Sequence, residues 1–430
     1  MQYRAPRGTN DILPADVWRW QAVEEKFRGI CRLAGLSEIR TPGFEETELF
    51  TRSIGEVTDI VSKEMYSFQD RSGRDLTLRP EGTAPIVRAW IENNLGAEGL
   101  PTKLFYITSI FRYERPQAGR YRQHHQFGVE VIGADDASVD AEMIALAARF
   151  LGSVGAAPWT LKINSIGVPA SRAVYVQALK ESVAGVLGEL CASCQARYEK
   201  NPLRMLDCKE PKCRELTKDV PDIAEYLDSE SAAHFEKVRE ALTALGLDFE
   251  VDPRLVRGFD YYTKTVFEFQ VEGLGAQNTV CGGGRYDGLV EELGGPGTPA
   301  FGFGMGIERL LLTLEQRGAT VGEPPRADVF VVRAGEGAQV EGLALAEELR
   351  KTGLTADTDY GNRSMKAQMK RAGKSGARLT LILGDDEIAS RQVTARDMIA
   401  QQQWRLPLEG CAGMVKDYLE TAESDQIRRG

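Results

Sequence analysis

The chain has 430 residues and a net charge of −10, with 42% hydrophobic and 27% charged residues. This length suffices for two to four domains, and the composition excludes disordered, collagen-like and small disulfide-stapled proteins. The negative net charge excludes a protein with an overall basic surface. The mean hydropathy is −0.30 and no run of about 18 apolar residues occurs, which excludes membrane spans. Residues 1–14 carry charge and proline where a signal peptide is apolar, so we expect a cytoplasmic protein.

The first predicted elements are a helix and a hairpin. Apolar residues at helical intervals predict a helix over 16–34, which Gly35 ends. Residues 104–114 (LFYITSIFRYE) and 127–134 (FGVEVIGA) have the composition of strands. The segment between them, RPQAGRYRQHH, would form a long basic hairpin tip.

A helical module follows, and then a second β-rich stretch. From 169 to about 250 the pattern is helical and charged, which we interpret as an insertion. Within it, we expect His234 on a helix surface. Aromatic and β-branched residues return at 255–273, and the glycine-rich string after them, CGGGRYDG, is expected to be a turn.

The last 105 residues differ from the rest. Residues 324–328 (PPRAD) have the composition of a linker, and beyond them strands and helices alternate, which predicts a small α/β domain. Four cations step by three, four and four along one predicted helix: Arg363, Lys366, Lys370 and Lys374. This spacing places them on one face, which is either simply solvated or contacts phosphates.

Arginines and glycines recur in short strings. Four guanidinium groups crowd into FRYERPQAGRYRQ, and such groups suit a polyphosphate because each donates paired hydrogen bonds, although a surface ion-pair network is the alternative. The glycines of FGFGMGIERL indicate close approach of the backbone just before a helix. No string fits the P-loop, dinucleotide-binding or common hydrolase motifs.

Together these strings resemble the signature motifs of class II aminoacyl-tRNA synthetases. Motif 1 is resembled by GLSEIRTPGFEETELF, with Pro42 in the expected place, motif 2 by FRYERPQAGRYRQ, and motif 3 by FGFGMGIERL. The strings that resemble histidyl-tRNA synthetases in particular are RGTNDILP, TLRPEGTAP, LVRGFDYYTKTVFEF and GGGRYDGLV. The resemblance covers nearly the whole chain, from Arg7 onwards.

The resemblance implies an α+β fold, in which helices flank an antiparallel catalytic sheet. The implied domains are a catalytic core over 1–325, with the helical insertion at about 169–250, and an α/β anticodon-binding domain over 326–430. A homodimer formed through motif 1 is also implied. The reaction would have two steps: L-histidine and ATP, with Mg²⁺ on the outer phosphates, give histidyl-adenylate and diphosphate. Histidine tRNA then takes the aminoacyl group on a terminal ribose hydroxyl.

The same resemblance implies the contacts of the ATP phosphates. Arg112 and Arg257 match the catalytic contacts to the α-phosphate, and Arg257 stands where other enzymes would place a metal. Arg120 matches a contact to the γ-phosphate. Fixed cations of this kind stabilise the negative charge that builds up when a carboxylate attacks the α-phosphorus.

The adenine contacts are implied in the same way. Arg309 matches the motif 3 arginine that stacks on adenine, and Glu114 would accept a hydrogen bond from the adenine amino group. His124 stands where the class pattern has a phenylalanine against the other face of the base. This departure from the pattern keeps a planar ring that can stack.

The implied histidine pocket is polar. The residues that match contacts to the α-amino group are Glu81, Thr83 and Gln126. The imidazole pocket matches Glu130, Tyr261 and Tyr262, since a carboxylate and a phenol can bind the donor and the acceptor nitrogen of a neutral imidazole. Such a pocket would reject apolar analogues by roughly 10⁴ to 10⁵, because its polar groups would be left unpaired.

Four of the seven cysteines form a separate pattern. They are spaced Cys191-x2-Cys194 and Cys208-x4-Cys213 with 13 residues between the pairs, as in a structural zinc knuckle. The alternative is four reduced thiols, because the family does not require zinc. The sequence leaves this open.

Two other functions compete with a ligase. One is the regulatory paralogue of this catalytic core, a non-catalytic partner of ATP phosphoribosyltransferase, which lacks the anticodon-binding domain and usually loses catalytic residues. Because Arg257 and residues 326–430 are both present, this alternative is disfavoured. The other is a class II synthetase for proline or threonine, which would lack LVRGFDYY and GGGRYDG.

Overall fold

The computed structural model describes residues 3–55, 58, 60–117, 119–273, 278–361 and 363–429, with side chains through residue 421. The chain divides into two compact units, Met1–Glu323 and Pro324–Gly430. In the described ranges, no helix is long and apolar enough to cross a membrane.

The first unit contains both strands and helices. Its strands are β1 (Ser37–Glu38), β2 (Phe44–Glu46), β3 (Tyr66–Gln69), β4 (Asp75–Leu78), β5 (Thr102–Phe111), β6 (Gln123–Ile132), β7 (Thr160–Ser165), β8 (Glu250–Val251), β9 (Thr263–Gln270), β10 (Thr279–Arg285) and β11 (Ala300–Gly306). Its α-helices are α1 (Val17–Leu33), α2 (Thr47–Ile54), α3 (Thr83–Glu92), α4 (Ala137–Ser153), α5 (Pro169–Val183), α6 (Ala192–Lys200), α7 (Pro211–Leu216), α8 (Ser229–Ala244), α9 (Leu289–Glu292) and α10 (Ile307–Gln316).

An eight-stranded sheet organises this unit, in the order β1-β5-β6-β11-β10-β9-β7-β8. The two outer pairs are parallel, and the strands between them are antiparallel. Apolar residues of α1, α4, α8 and α10 cover one face of the sheet, where they pack on Phe127, Val129 and Phe267. Alternation along β6 therefore turns His124, Gln126 and Glu130 toward the opposite face. The predicted antiparallel sheet flanked by helices is confirmed.

The predicted hairpin is present, with shifted ends. Strands β5 and β6 pair from Thr102↔Ile132 to Phe111↔Gln123, so β5 ends three residues earlier than predicted and β6 begins four residues earlier. His124 and His125 consequently lie in β6 and not in the tip. The helix predicted over 16–34 is α1.

The turn predicted for CGGGRYDG is wrong for its first five residues, which belong to β10 in the middle of the sheet, while Asp287 and Gly288 do lie in a turn. Strand β10 pairs with β9 on one side and β11 on the other. A Cβ atom at Gly283 would collide with the carbonyl oxygen of Gly302 on β11. Glycine here permits close packing of neighbouring strands. In the sequence, a run of glycines with this purpose has the same composition as a turn.

The insertion is helical. Helices α5, α6, α7 and α8 alternate with 3₁₀ turns at Ala184–Glu189, Pro202–Met205 and Ile223–Tyr226. His234 on α8 is buried, which corrects the expected surface position, and its Nε2 lies 2.8 Å from Asp140 Oδ2 on α4. Asp140 also accepts from Arg285, and both of these side chains are fully buried.

The second unit is a small α/β domain. Its strands are β12 (Val329–Ala334), β13 (Ala356–Thr358), β14 (Leu379–Gly384), β15 (Gln392–Asp397) and β16 (Gln403–Pro407), in the sheet order β13-β12-β14-β15-β16. Its helices are α11 (Ala338–Lys351), α12 (Met365–Ser375), α13 (Asp385–Ala389) and α14 (Cys411–Arg429). Helices α11 and α14 pack on one face of the sheet and α12 on the other.

The predicted basic helix is α12, but Arg363 is not part of it. The helix begins at Met365 with Ser364 as its N-cap, and Arg363 instead forms an ion pair with Asp359 at 3.4 Å. The exposed cations of the helix itself are Lys366, Lys370 and Lys374. The opposite face, with Gln368 and Ala372, is buried.

Candidate active site

Glu130 lies at the centre of the residues predicted for the histidine pocket, on the face of the sheet opposite the helical layer. It is fully buried, and its Oε1 accepts from Thr83 Oγ1 at 2.8 Å and from the Tyr106 hydroxyl at 3.3 Å. The Tyr286 hydroxyl donates a short hydrogen bond to Oε2. Three hydroxyl groups, from α3, from β5 and from the residue that follows β10, therefore hold one carboxylate in place.

The electrostatics of this carboxylate are set by burial. Burial raises the pKa of Glu130 to about 8, while the hydrogen bonds from Tyr286 and Thr83 partly oppose that change. The phenols around it are affected in the same direction, since burial raises the pKa of Tyr106 and of Tyr286. The pocket thus holds neutral phenols and a carboxyl group whose pKa lies at about 8.

Glycines of motif 3 make room for this pocket. Gly302 on β11 is the register partner of Glu130, and a Cβ atom there would collide with the Glu130 carboxylate. A Cβ atom at Gly304 would collide with the side-chain amide of Gln126. The predicted close approach at these glycines is confirmed, and what approaches is a pair of polar side chains.

A cluster of aromatic rings closes the pocket on the side of the segment before β9. Tyr261 and Tyr262 are buried with ring centroids 4.7 Å apart, and the ring of Phe259 stacks on Tyr261 at 5.1 Å. Tyr261 also contacts the edge of Tyr286 at 5.7 Å. The two predicted tyrosines therefore stand beside the residues that hold Glu130.

The residues predicted for the α-amino group lie along the same pocket. Glu81 is buried just before α3, where its carboxylate accepts from the backbone N–H groups of Thr83 at 2.6 Å and Ala84 at 2.7 Å. Burial raises the pKa of Glu81 in spite of these bonds. Gln126 lies two strand periods from Glu130 on the same face of β6.

Two arginines predicted to act on phosphate approach the ring cluster from either end. The guanidinium of Arg257 lies 5.7 Å from the ring centre of Tyr262, and its Nη1 donates to Glu268 Oε1 at 2.5 Å. The guanidinium of Arg112 lies 5.7 Å from the ring centre of Phe259, and its Nε donates to the carbonyl of Pro80 at 2.6 Å. The structure therefore places both predicted arginines beside the aromatic cluster that contains Tyr261 and Tyr262.

The residues predicted for adenine and the γ-phosphate surround the hairpin tip. Arg120 Nη1 lies 3.0 Å from Glu114 Oε2. Arg309 donates from Nη1 to the carbonyl of Thr279 at 2.6 Å. Burial, with the charge of Arg112 nearby, lowers the pKa of His124 to about 3, so its ring is neutral and suited to stacking.

Three residues of this site were missed in the sequence. Tyr106 and Tyr286 bind Glu130, and Glu268 binds Arg257. Tyr286 lies inside GGGRYDGLV, so its motif carried a signal. Tyr106 sits in a strand with apolar residues on both faces, which obscures its role. Glu268 alternates with two phenylalanines of β9, which indicates the polar face of a strand, but only its contact with Arg257 shows its role.

Comparison with known proteins decides the family. The sequence model described as "Histidyl-tRNA synthetase" matches residues 8–310, and that described as "Anticodon binding domain" matches residues 328–418. The chain belongs to the histidyl-tRNA synthetase family. The predicted family and the predicted C-terminal anticodon-binding domain are thereby confirmed.

Relatives within the histidyl-tRNA synthetase family match from end to end. The histidine–tRNA ligase of Caldanaerobacter subterraneus subsp. tengcongensis is 51% identical over 417 residues, which is 97% of this chain and 100% of the relative. That of Clostridioides difficile is 50% identical over 420 residues, again 97% and 100%. The crystal structure of apo S. aureus histidyl-tRNA synthetase superposes with a TM-score of 0.82 at 39% identity, covering 96% of this chain and 100% of that one.

These matches confirm the predicted activity class. The chain is an aminoacyl-tRNA ligase, and its full-length similarity is to histidine–tRNA ligases. The regulatory paralogue is excluded as its function, in agreement with the presence of both Arg257 and the second unit.

Proposed function

We propose that this site joins L-histidine to ATP as histidyl-adenylate and then passes the histidyl group to the 3′-terminal ribose of histidine tRNA. The observation that carries the proposal is the buried Glu130, which three hydroxyl groups orient inside a ring-lined pocket. A carboxyl group held in this way among aromatic rings presents a fixed polar acceptor in otherwise apolar surroundings, which suits a planar ligand that carries an N–H donor.

Imidazole recognition is assigned to Glu130, Tyr261 and Tyr262. The ionised carboxylate accepts from one imidazole N–H, and a phenol donates to the other nitrogen, which fixes one tautomer of a neutral ring. A histidine N–H donated to Glu130 favours the ionised carboxylate, so the bound amino acid lowers a pKa that burial has raised. Tyr106, Tyr286 and Thr83 act as positioning residues for this carboxylate.

The α-amino group is assigned to Glu81, Thr83 and Gln126. An ammonium group beside Glu81 adds a countercharge to a buried carboxylate whose pKa burial has raised, and the Gln126 amide oxygen accepts a further N–H. Together with Glu130 these contacts hold histidine at both ends. Its carboxylate is then directed toward the arginines.

The α-phosphate is assigned to Arg112 and Arg257. The carbonyl of Pro80 and the carboxylate of Glu268 hold the two guanidinium groups, so their charges need little reorganisation as the reaction proceeds. The histidine carboxylate attacks the α-phosphorus in line and diphosphate leaves. The arginines stabilise the negative charge on the phosphoryl oxygens in the transition state.

The rest of ATP is assigned to the hairpin tip and motif 3. Arg309 and the neutral ring of His124 stack on the adenine faces, Glu114 accepts from the adenine amino group, and Arg120 contacts the γ-phosphate. Mg²⁺ would accompany the outer phosphates and neutralise charge there. The nearby carboxylates of Glu114 and Glu268 are already paired with arginines, which fits a magnesium ion held mainly by the nucleotide.

We assign the catalytic domain to residues 1–325, with the insertion at about 169–250, and the anticodon-binding domain to 326–430. In the latter, Lys366, Lys370 and Lys374 form an exposed basic face on α12 that suits RNA phosphates. We further propose a cytoplasmic homodimer formed through motif 1. In its support, Phe44 of motif 1 is 50% exposed and contacts the 44% exposed Phe68 across the small sheet.

The test is ATP–diphosphate exchange on the purified protein, with each of the twenty amino acids in turn. Exchange that depends on histidine alone is expected, followed by charging of histidine tRNA. Exchange with a different amino acid would contradict the pocket assignment. No exchange by a folded protein would contradict activation itself.

A further inference from the structure

The cysteines that the sequence left open converge in the folded insertion. The Sγ atoms of Cys191, Cys194, Cys208 and Cys213 all lie within 4.8 Å of one another. The Sγ atoms of Cys191 and Cys208 are 3.9 Å apart, and the backbone N–H of Cys191 donates to Cys213 Sγ at 3.1 Å. Three of the four residues are buried.

These separations match a tetrahedral metal–thiolate centre. A Zn–S bond of about 2.3 Å in a tetrahedron places neighbouring sulfur atoms about 3.8 Å apart, whereas a disulfide requires about 2.05 Å. The pairs also have the short spacings of structural zinc sites, with the first pair at the start of α6 and the last cysteine in α7. Four thiolates leave no open coordination position, so the centre is structural and not catalytic.

We propose that Cys191, Cys194, Cys208 and Cys213 bind one structural Zn²⁺ that holds the insertion against the segment carrying Arg257, Tyr261 and Tyr262. Zinc is favoured over calcium or magnesium because all four ligands are soft sulfur atoms. The four cysteines lie in the short helical stretch of the insertion that contains α6 and α7. A bound metal would stabilise this stretch, since a small helical module has little apolar core of its own.

Direct contacts connect this centre to the histidine pocket. Asn201, between the two cysteine pairs, donates to Asp260 Oδ1 at 2.8 Å. Arg254 donates to the carbonyl oxygen of Leu206 at 3.2 Å and to that of Thr217 at 2.6 Å. Cys194, Cys208 and Cys213 also belong to the same apolar cluster as Tyr261 and Tyr262. Loss of the metal should therefore disturb the pocket through Asp260 and Arg254.

The test is elemental analysis of the full-length protein, purified without an affinity tag or chelator. We expect about one zinc per chain in the wild type and in Cys411→Ala, which removes a buried thiol outside the cluster, and a loss of at least tenfold in Cys208→Ser. The Co²⁺-substituted protein should show the visible absorption of tetrahedral sulfur coordination. Wild-type protein with less than about 0.1 metal per chain, whether its four cysteines are free thiols or disulfides, would overturn the proposal.

The coupling to the pocket rests on the proposed function and has its own measurement. Stripping zinc with a chelator should raise the histidine KM in diphosphate exchange severalfold and also lower kcat, because Arg257 lies on the same segment as Tyr261 and Tyr262, and added Zn²⁺ should reverse both changes. An unchanged histidine KM in metal-free protein would overturn the coupling while leaving the metal site intact. Absence of all exchange in zinc-loaded protein would instead count against the proposed function.

Discussion

The hydroxyl of Thr83 donates to Glu130 Oε1 across 2.8 Å, although the two residues are 47 positions apart in the chain. Thr83 begins α3 and Glu130 lies in a central strand, so the bond joins a helix start to the sheet. Since Tyr106 and Tyr286 bind the same carboxylate, substitutions here test the pocket most directly.

The first prediction concerns Glu130→Gln. A hydrogen bond to a charged group contributes about 1.5–3 kcal/mol, so the histidine KM should rise about tenfold to a hundredfold. The ATP KM should change little, because Glu130 lies in the histidine half of the site. Steady-state diphosphate exchange measures both values. Equal effects on the two substrates would contradict the assignment.

The same variant should also change how the stability of the protein depends on pH. Burial raises the pKa of Glu130 from 4.5 to about 8, so the folded protein holds this proton more tightly than the unfolded chain. The resulting stabilisation is fully present below pH 4.5 and is lost as the pH rises through about 8. Glutamine does not titrate, so the Tm of Glu130→Gln relative to wild type should increase from pH 5 to pH 9. A constant difference in Tm would contradict the raised pKa.

The second prediction concerns Arg257→Ala. Removal of one fixed donor to a developing anion costs roughly 10² to 10³ in kcat, so adenylate formation should fall by that factor. The single variant also leaves the Glu268 carboxylate without its cationic partner, with only neutral donors from Thr279 and Gln270, which destabilises the site. The double variant Arg257→Ala, Glu268→Gln should recover the Tm but not the rate. Near-normal exchange in either variant would remove the catalytic role.

The third prediction concerns Gly302→Ala. The added methyl group would collide with Glu130 and lie 2.6 Å from the carbonyl oxygen of Val129. Overpacking of this kind costs about 1–3 kcal/mol, and displacement of Glu130 should also raise the histidine KM. The control is Gly152→Ala in α4, where a Cβ atom meets nothing within 4 Å and stability should increase by about 0.5–1 kcal/mol. Denaturant unfolding and exchange kinetics compare the two variants.

The fourth prediction concerns the basic face of α12. Replacing Lys366, Lys370 and Lys374 with glutamine should raise the KM for tRNA. The slope of log Kd against log salt concentration should also fall, by the contribution of up to about three phosphate contacts. Diphosphate exchange does not involve tRNA and should be unchanged, which makes it the internal control. Unaltered binding at several salt concentrations would show that this face is merely solvated.

The fifth prediction concerns the buried ion pair of Asp140 and Arg285. Asp140→Asn removes the fully buried countercharge of Arg285 and leaves the guanidinium only the partly exposed Asp287, 3.2 Å from its Nη1, which should cost about 3–5 kcal/mol of unfolding free energy. The control is Glu142→Gln, two residues away, which removes an exposed pair with Lys103 and should cost at most about 1 kcal/mol. Similar losses in both variants would contradict the importance of the buried network.

Much of the fold was accessible from the sequence, because its signals are local. The periodicity of α1, the apolar runs of β5 and β6, and the alternation of elements after Pro324 each depend on neighbouring residues in the chain. The motif strings placed the chain in its family for the same reason, since each is short and contiguous. The comparisons confirm that assignment.

Contacts between distant segments were not accessible, and they account for the errors. CGGGRYDG has the composition of a turn, yet the strands on either side of β10 make its first three glycines part of a sheet. His234 lies on a charged helix, yet α4 covers it and supplies Asp140. In both cases the deciding neighbour lies more than 10 residues away, beyond the reach of periodicity or propensity.

The sequence by itself thus determined the residue types of the site and the elements that carry them. Only the tertiary structure decided that three hydroxyl groups meet at Glu130, that Glu268 holds Arg257, and that four cysteine sulfur atoms lie within 4.8 Å of one another. The physical reason is that burial, pKa and coordination depend on which groups share a small volume, and that proximity is set by strand pairing and helix packing.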